Sequence, residues 1–349
     1  MNLDMSVDMS MDTMTVRAVV DDDGTPERRE VEQPRGRGDH FFSWLMSSSG
    51  LVVLATMSAV GLFLALKSVP AFRRTGLGFF TTSQWQPSTG KFGVAAIIGF
   101  TITIAFIAVA IALPISLATS LFITEIAPAW MRGALVAMVD LMAAVPSVVY
   151  GVWGARVLQP HAIGVEKWLA SWLGWIPIFD VTGHDPSNPL SADAVFFASS
   201  FTAGLVVSMM VMPIQCSVMR EVFSQVPASE REGAFALGST RWGMITVVSL
   251  PFGRGGIIGG TMLGLGRALG ETIAVVLIIS PRFDFSFHML ETGSNSVSAL
   301  IALRFAEASD FDLAALMAAG LTLFAMTLVV NFVASWFVAR SRSGASSEA

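Results

Sequence analysis

Charged residues are scarce in this sequence of 349 residues. Asp, Glu, Lys and Arg together make up 13% of it, whereas hydrophobic residues make up 53%. A soluble domain ordinarily contains about 25% charged residues. The shortage is concentrated in long apolar stretches, which predict a chain that folds within a lipid bilayer. The net charge of −5 is modest and favours no nucleic-acid partner.

The sequence also lacks the side chains from which most catalytic and metal sites are built. Cys216 is its single cysteine, which excludes an internal disulfide. The histidines at 40, 161, 184 and 288 are scattered, without metal-ligand spacing. We find no Walker motif, no Ser-His-Asp or Cys-His arrangement and no paired catalytic carboxylates. The sequence therefore predicts a protein that is not an enzyme and binds no metal or cofactor itself.

No apolar segment precedes Phe41, so the N-terminus does not resemble a signal peptide. Residues 1–40 are rich in charge and poor in core-forming residues, which predicts a disordered cytoplasmic tail. Residues 41–340 are predicted to form one transmembrane domain, and residues 341–349 a short cytoplasmic tail.

Long apolar segments occur six times, and each is close to or above the roughly 20 residues that a membrane helix needs. They are residues 47–66, 92–124, 134–155, 194–219, 255–279 and 313–339. The predicted fold is therefore all-α, with six transmembrane helices. With both termini in the cytoplasm, twelve Lys and Arg residues would be inside and eight outside, which favours that orientation.

Residues 220–253, between the fourth and fifth segments, predict a small helix-turn-helix on the cytoplasmic side. A short helix would follow Pro227 and end at Gly238, and a second helix over 241–249 would stop at Pro251. Phe235, Trp242 and Ile245 would lie on its apolar side. A plain amphipathic segment at the membrane surface explains the composition equally well.

A resemblance to a known motif separates these alternatives. The motif residues have the types and spacing of the EAA loop of ABC-importer permeases, and they are Glu232, Gly233, Ala234, Gly238, Leu250 and Pro251. This resemblance implies that the loop docks into a separate cytoplasmic ATPase. Glu232 would then contribute a charge-assisted contact to that partner, although a purely local capping role also fits it.

Two charges lie deep in the fifth apolar segment, where each is costly. Arg267 is about 18 Å along the helix from Gly255, and Glu271 follows one turn later. The glycines at 256, 260 and 264 repeat at four-residue spacing, which is typical of close helix packing. On an ideal helix these five positions share a face. The two charges either pair with each other or bind a translocated anion.

Residues 264–272 resemble the Gly-x-x-Arg-Ala-x-Gly-Glu-Thr stretch of phosphate-importer permeases. This resemblance implies that Arg267 and Glu271 take part in phosphate passage. Residues 146–154, which begin with Pro146, resemble a stretch of the PstC type of these permeases, and Asp140 stands at the acidic position before it. Ser147 and Tyr150 are further candidates for contact with the anion.

The resemblance implies a type I, MetI-like permease of the plasma membrane that carries inorganic phosphate inward. Its partners would be a second permease of the PstA type, a dimeric cytoplasmic ATPase that consumes ATP with Mg, and an extracytoplasmic phosphate-binding protein. The alternatives are a permease for another oxyanion such as molybdate or sulfate, a secondary transporter or channel, and a membrane scaffold or phosphate sensor.

Overall fold

A computed structural model describes residues 37–183 and 193–342 of the chain. The helices in these residues, numbered along the chain, are α1 (Arg37–Thr75), α2 (Ala95–Leu121), α3 (Ala129–Ala144), α4 (Ser147–Trp153), α5 (Gln159–Leu173), α6 (Ser200–Ser224), α7 (Ala228–Ala236), α8 (Arg241–Met244), α9 (Leu250–Gly270), α10 (Ile273–Ile278), α11 (Val297–Arg304) and α12 (Asp310–Arg342). Of the predicted tail over 1–40, residues 1–36 lie outside the described residues, and the remaining four begin α1. Of the predicted tail over 341–349, residues 343–349 also lie outside them.

The chain divides into two compact units within α1, between Met57 and Ser58. In the first unit, the described part is the helical stretch of α1 up to Met57. The second unit contains the rest of α1 and every later element, including all candidate site residues.

The mostly helical, membrane-spanning fold is confirmed. In residues 37–183 and 193–342, four helices are long and apolar enough to cross a membrane, and α3 with the helix that follows it would make a fifth if the bent pair is one span. The predicted count of six stays a prediction. The segment predicted over 255–279 does not count because it is divided: α9 ends at Gly270 and α10 begins at Ile273. α9 is also rich in glycine and carries two arginines.

Proline breaks the third predicted segment. α3 ends at Ala144, and the helical stretch that begins at Ser147 is bent by 87° from it. Pro146, at the bend, has no N–H to donate to the carbonyl four residues earlier, so the helix ends before it. The stretch between the third and fourth apolar segments begins as helix α5. Its tryptophans at 168, 172 and 175 are exposed.

A small hairpin interrupts the otherwise helical fold. Strands β1 (Trp85–Gln86) and β2 (Lys91–Phe92) pair antiparallel, with Trp85 opposite Phe92. The turn between them closes on Gly90, whose φ of +80° favours glycine. Phe92 is buried against the rings of Phe79 and Phe311. A strand of two residues is too short to show alternation, which is why the sequence pattern did not predict it.

The centre of the bundle is formed by α2, α6 and α9, whose small and branched side chains pack together. Ala108, Val207 and Leu269 belong to one buried cluster from these three helices. α10 and α11 complete the same cluster with Val275 and Ala299. This packing fixes where α9 ends, and α9 carries the two predicted intramembrane charges.

Candidate functional site

The glycine repeat of α9 lies directly against α6. Gly256, Gly260 and Gly264 are buried, and a Cβ atom built on Gly256 would lie 2.6 Å from the Cβ of Val222. A Cβ on Gly264 would lie 2.6 Å from Val211 Cγ1. No side chain fits at these positions without displacing α6. The repeat therefore serves contact within this chain.

Arg267 lies away from that contact. Its side chain is exposed in the chain by itself, as are Leu263 and Gly270 on the same strip of α9. The predicted shared face with the glycines holds for an ideal helix, but the packing changes beyond Gly264. In the last turn, Ala268 and Leu269 enter the central cluster on the other side of the helix. The guanidinium of Arg267 is consequently exposed near the end of α9.

Glu271 marks the break between α9 and α10. Its backbone is extended, with φ −65° and ψ 126°. Its Oε1 accepts a hydrogen bond from the N–H of Ala274 at 3.4 Å, and its carbonyl accepts one from Ser298 Oγ at 2.8 Å. In the part of the chain that the structure describes, no ion pair joins Glu271 to Arg267. The structure therefore separates the two charges and ties the acidic residue to the start of α10 and to α11.

The break at Pro146 has its own hydrogen bond. Pro146 leaves the carbonyl of Met142 without its helical N–H partner, and the Tyr150 hydroxyl donates to that oxygen at 2.9 Å. Tyr150, rather than the nearer Ser147, is thus the side chain that binds this carbonyl. Asp140 is an exposed residue of α3 and lies 3.8 Å from the guanidinium of Arg220 on α6.

The predicted short helix after Pro227 is α7, and it ends before Gly238, whose φ is +84°. The predicted stop at Pro251 is wrong. Instead α8 runs through a π-helical turn, Ile245–Ser249, directly into α9. Pro251 directly follows this π-helical turn, where the regular α-helical hydrogen-bond pattern is already interrupted, so its missing N–H does not end the helix.

Most of the motif residues in this segment are open to solvent in the chain by itself. Glu232 and Gly233 are exposed and Ala234 is half-buried, as is Leu250. Phe235 and Trp242 are exposed apolar side chains beside them. The predicted grouping of Ile245 with these two is wrong, because Ile245 is buried against Met219 and Phe223 of α6.

A buried carboxylate holds α7 to the bundle, and the sequence analysis missed it. The Glu125 side chain is only 3% exposed and lies 3.4 Å from the Arg231 guanidinium of α7. Ser249 Oγ donates to the same carboxylate at 3.1 Å, and Arg231 also donates to the Phe223 carbonyl at 2.9 Å. A lone Glu at the end of a long apolar segment was the available signal, but nothing in the sequence indicated its partner.

A second buried carboxylate, Glu166 of α5, was also missed. It accepts hydrogen bonds from the hydroxyls of Ser199 and Thr202, which begin α6. Ser199 also caps α6 by accepting from the N–H of Thr202. The two hydroxyls at the start of α6 thus give this acid polar partners at a buried position.

Comparisons with known proteins identify the family. No protein-family model matches the chain. The chain is 36% identical over 328 residues to the phosphate transport system permease protein PstC of Xylella fastidiosa, covering 94% of this chain and 98% of that one. It is 35% identical over 319 residues to PstC of Pasteurella multocida, covering 90% and 97%. It is 35% identical over 306 residues to PstC 2 of Mycobacterium tuberculosis, covering 86% and 92%.

The solved structures agree on the fold. One chain of a bacterial ABC transporter involved in the import of the acidic polysaccharide alginate superimposes with a TM-score of 0.56 at 18% identity, covering 87% of this chain and 98% of that one. The fold is thus that of an ABC-importer permease. With relatives this similar over nearly its whole length, the chain belongs to the family of the phosphate transport system permease protein PstC.

Proposed function

We propose that this protein is the permease subunit of an ATP-driven importer that carries inorganic phosphate inward across the plasma membrane. The observation that supports it most is Arg267, an exposed guanidinium at the end of α9 in a chain similar to PstC proteins over 94% of its length. A charge at that depth is costly unless it faces protein or water. It is therefore placed where a second permease subunit and a passing anion would meet it.

The chemistry of Arg267 suits a phosphate ion. A guanidinium is planar and always charged, and its N–H groups can donate two parallel hydrogen bonds to two oxygens of one phosphate. Glu271 is held by α10 and α11 and does not neutralise Arg267. A fixed carboxylate nearby would weaken the binding of an anion, and a transport path requires an ion to leave as well as enter.

The exposed surface of α7 and α8 supports docking of a separate ATPase. In this proposal, ATP closes a dimeric ATPase, and Glu232, Phe235 and Trp242 receive the movement. In this proposal, α7 and both chain termini lie in the cytoplasm. A PstA-type second permease and an extracytoplasmic phosphate-binding protein complete the assembly, and the ATPase subunits bind ATP with Mg.

The residues next to the break at Pro146 stabilise the bent helix. Tyr150 holds the bent helix by its bond to Met142, and Ser147 begins α4 beside it. We place both residues near the path of the anion. Asp140 is paired with Arg220, which favours a structural role for it.

Uptake of labelled phosphate by cells that depend on this permease tests the proposal. Arg267→Gln should lower the initial rate of uptake at least about tenfold, because a charged hydrogen bond to the anion is lost. Arg254→Gln is the matched control, since Arg254 is an exposed arginine at the opposite end of α9. It should retain uptake.

Two further measurements make the result decisive. The amount of each variant and its co-purification with the ATPase should equal those of the unchanged chain. Uptake of labelled sulfate and molybdate is measured in parallel. Unchanged phosphate uptake in Arg267→Gln, or loss of sulfate or molybdate uptake alone, would contradict a phosphate importer.

A further inference from the structure

A cavity of about 350 Å³ lies at the base of α7, at the opposite end of α9 from Arg267. It is lined by residues from the π-helical turn after α2, from α3, from the end of α6 and from α7. Three arginines line it, each from a different helix: Arg132 of α3, Arg220 of α6 and Arg231 of α7.

The arginines of this cavity are incompletely satisfied. Within residues 37–183 and 193–342, Arg220 Nη1 and Arg231 Nε are buried and have no hydrogen-bond partner. Each guanidinium uses another nitrogen for a fixed contact: Arg220 Nη2 faces Asp140 at 3.8 Å, and Arg231 Nη2 faces Glu125 at 3.4 Å. A buried donor without a partner costs free energy, which a bound acceptor would recover.

The charges around the cavity favour an anion. Glu125 is engaged by Arg231 and by Ser249, and Asp140 is more than half exposed. Arg132 donates its Nε to the Ala127 carbonyl, a neutral acceptor, so its charge has no counter-ion there. Glu221 is the acidic residue that lines the cavity itself, against the three arginines.

We propose that this cavity is a second anion site, which binds a phosphate-type oxyanion between Arg132, Arg220 and Arg231. Thr124 and Ser224 also line it, but their hydroxyls already donate to the backbone carbonyls of Ser120 and Glu221, so the arginines are the donors for the anion. The anion could be free inorganic phosphate or the phosphate of a lipid headgroup, because both present the same oxygens to guanidinium groups. On the topology proposed above, the site faces the cytoplasm.

Occupancy of this site would act on α7. Arg231 belongs to α7, whereas Arg132 and Arg220 belong to the bundle, so one bound anion would tie the ATPase-docking helix to α3 and α6. Phosphate that accumulates inside would then hold α7 in place and slow further cycles. Binding of the anion does not depend on the proposed function, but the side of the membrane that the site faces and the effect on ATPase docking do.

Hydrogen–deuterium exchange on the assembled importer tests the site. The complex is placed in nanodiscs of neutral phosphatidylcholine, and inorganic phosphate is compared with chloride at equal ionic strength. Phosphate should slow exchange in peptides 122–136 and 216–236. A parallel sample in nanodiscs that contain phosphatidylglycerol, without phosphate, reports on headgroup binding. Protection in either sample supports the site and identifies its source, whereas protection in neither overturns the proposal.

Substitutions of the arginines test whether protection from exchange arises from binding in this cavity. Arg220→Gln should raise the phosphate concentration, or the fraction of anionic lipid, needed for half-maximal protection by about tenfold. Arg132→Gln should act in the same direction and serves if Arg220→Gln does not fold, because Arg132 is exposed. Arg254→Gln, which does not line the cavity, should leave protection unchanged. Equal protection in all three variants would overturn the assignment.

The same experiment separates this site from the translocation path. Exchange in peptide 260–275 reports on Arg267 and Glu271, which are distant in sequence from the cavity residues. If Arg267→Gln leaves uptake unchanged, the proposed transport path is wrong, but protection of peptides 122–136 and 216–236 still decides the second site.

Discussion

Tyr150 compensates for Pro146 by donating to the carbonyl of Met142, which lies eight residues before Tyr150. We expect Tyr150→Phe to lower the stability of the chain by about 1 to 3 kcal/mol, because the Met142 carbonyl would lose this partner in a half-buried position. The measurement is thermal unfolding of the purified chain in detergent. Trp153→Phe, a change to an exposed aromatic residue of the same helix, is the control and should have little effect. Equal midpoints for both variants would contradict the role given to the hydroxyl.

The glycines of α9 are not equivalent. Gly256→Ala would place a methyl group 2.6 Å from Val222 Cβ, so α6 or α9 must shift, at a cost of about 1 to 3 kcal/mol. Gly259→Ala meets nothing within 4 Å and should stabilise the helix or leave it unchanged. Thermal unfolding of the two variants in the same detergent compares them. A stability loss in Gly259→Ala that equals the loss in Gly256→Ala would argue against this contact.

At the residue scale, the sequence identifies the residues that matter better than it predicts whether they are buried or exposed. Four-residue spacing identified Gly256, Gly260 and Gly264 as packing residues, and all three are buried. The same reasoning put Arg267 on their face, whereas it is exposed. The difference arises because helical spacing assumes one neighbour along the whole helix. In this chain the neighbour changes after Gly264.

At the scale of elements, α7 depends on one left-handed residue. Gly238 has φ +84°, and a residue with a Cβ pays about 1 to 2 kcal/mol there. We expect Gly238→Val to reduce co-purification of the ATPase with the chain, because the direction in which the chain leaves α7 would change. Gly233→Ala is the matched variant in the same segment. A Cβ at Gly233 meets nothing within 4 Å and also raises helix propensity, so binding should persist. Undiminished co-purification with Gly238→Val would contradict this role.

Elements were predicted where long apolar runs are uninterrupted. α2, α6 and α12 overlap the predicted segments because a charge-free run in lipid must satisfy its backbone internally. The breaks were harder to predict. Pro146 signalled the first break, but the break at Glu271 carries no proline and depends on the contacts of Ser298 and Ala274 with that residue. The hairpin at Trp85 to Phe92 was missed because its strands are only two residues long.

At the scale of the whole molecule, Glu125 connects three parts of the chain that are far apart in sequence. We expect Glu125→Gln to lower stability by about 1 to 3 kcal/mol, because Arg231 would lose its buried counter-ion. In vesicles, the ATPase of an importer that contains this variant should also hydrolyse more ATP for each phosphate that enters, since α7 is held less firmly. Glu307→Gln, which changes an exposed acidic residue outside the arginine-lined cavity, is the control for both measurements. An unchanged ratio of ATP to phosphate would show that this contact does not transmit the movement.

Contacts between buried carboxylates and residues far away in the sequence could not be predicted from the sequence. Glu125 with Arg231, and Glu166 with Ser199, join residues whose separation has no helical or strand period. One sequence shows that a charge is present in an apolar setting, but only the fold determines its partner. The family was predictable, in contrast, because the EAA spacing and the stretch around Arg267 are local patterns.

The unbroken connection from α8 through the π-helical turn into α9 has a mechanical consequence. From Arg241 to Gly270 the backbone stays helical without an intervening loop, over roughly 45 Å at about 1.5 Å per residue. The π-helical turn holds one more residue than an α-helical turn would. Removing Val247 should therefore restore a regular α-helical turn and keep the direction of Arg267 relative to Trp242, whereas removing Leu263 from α9 should turn Arg267 by about 100° around the helix axis. With Leu263 removed, an ATPase would still bind α7 and α8, but the movement that it drives would carry Arg267 on a different side of α9.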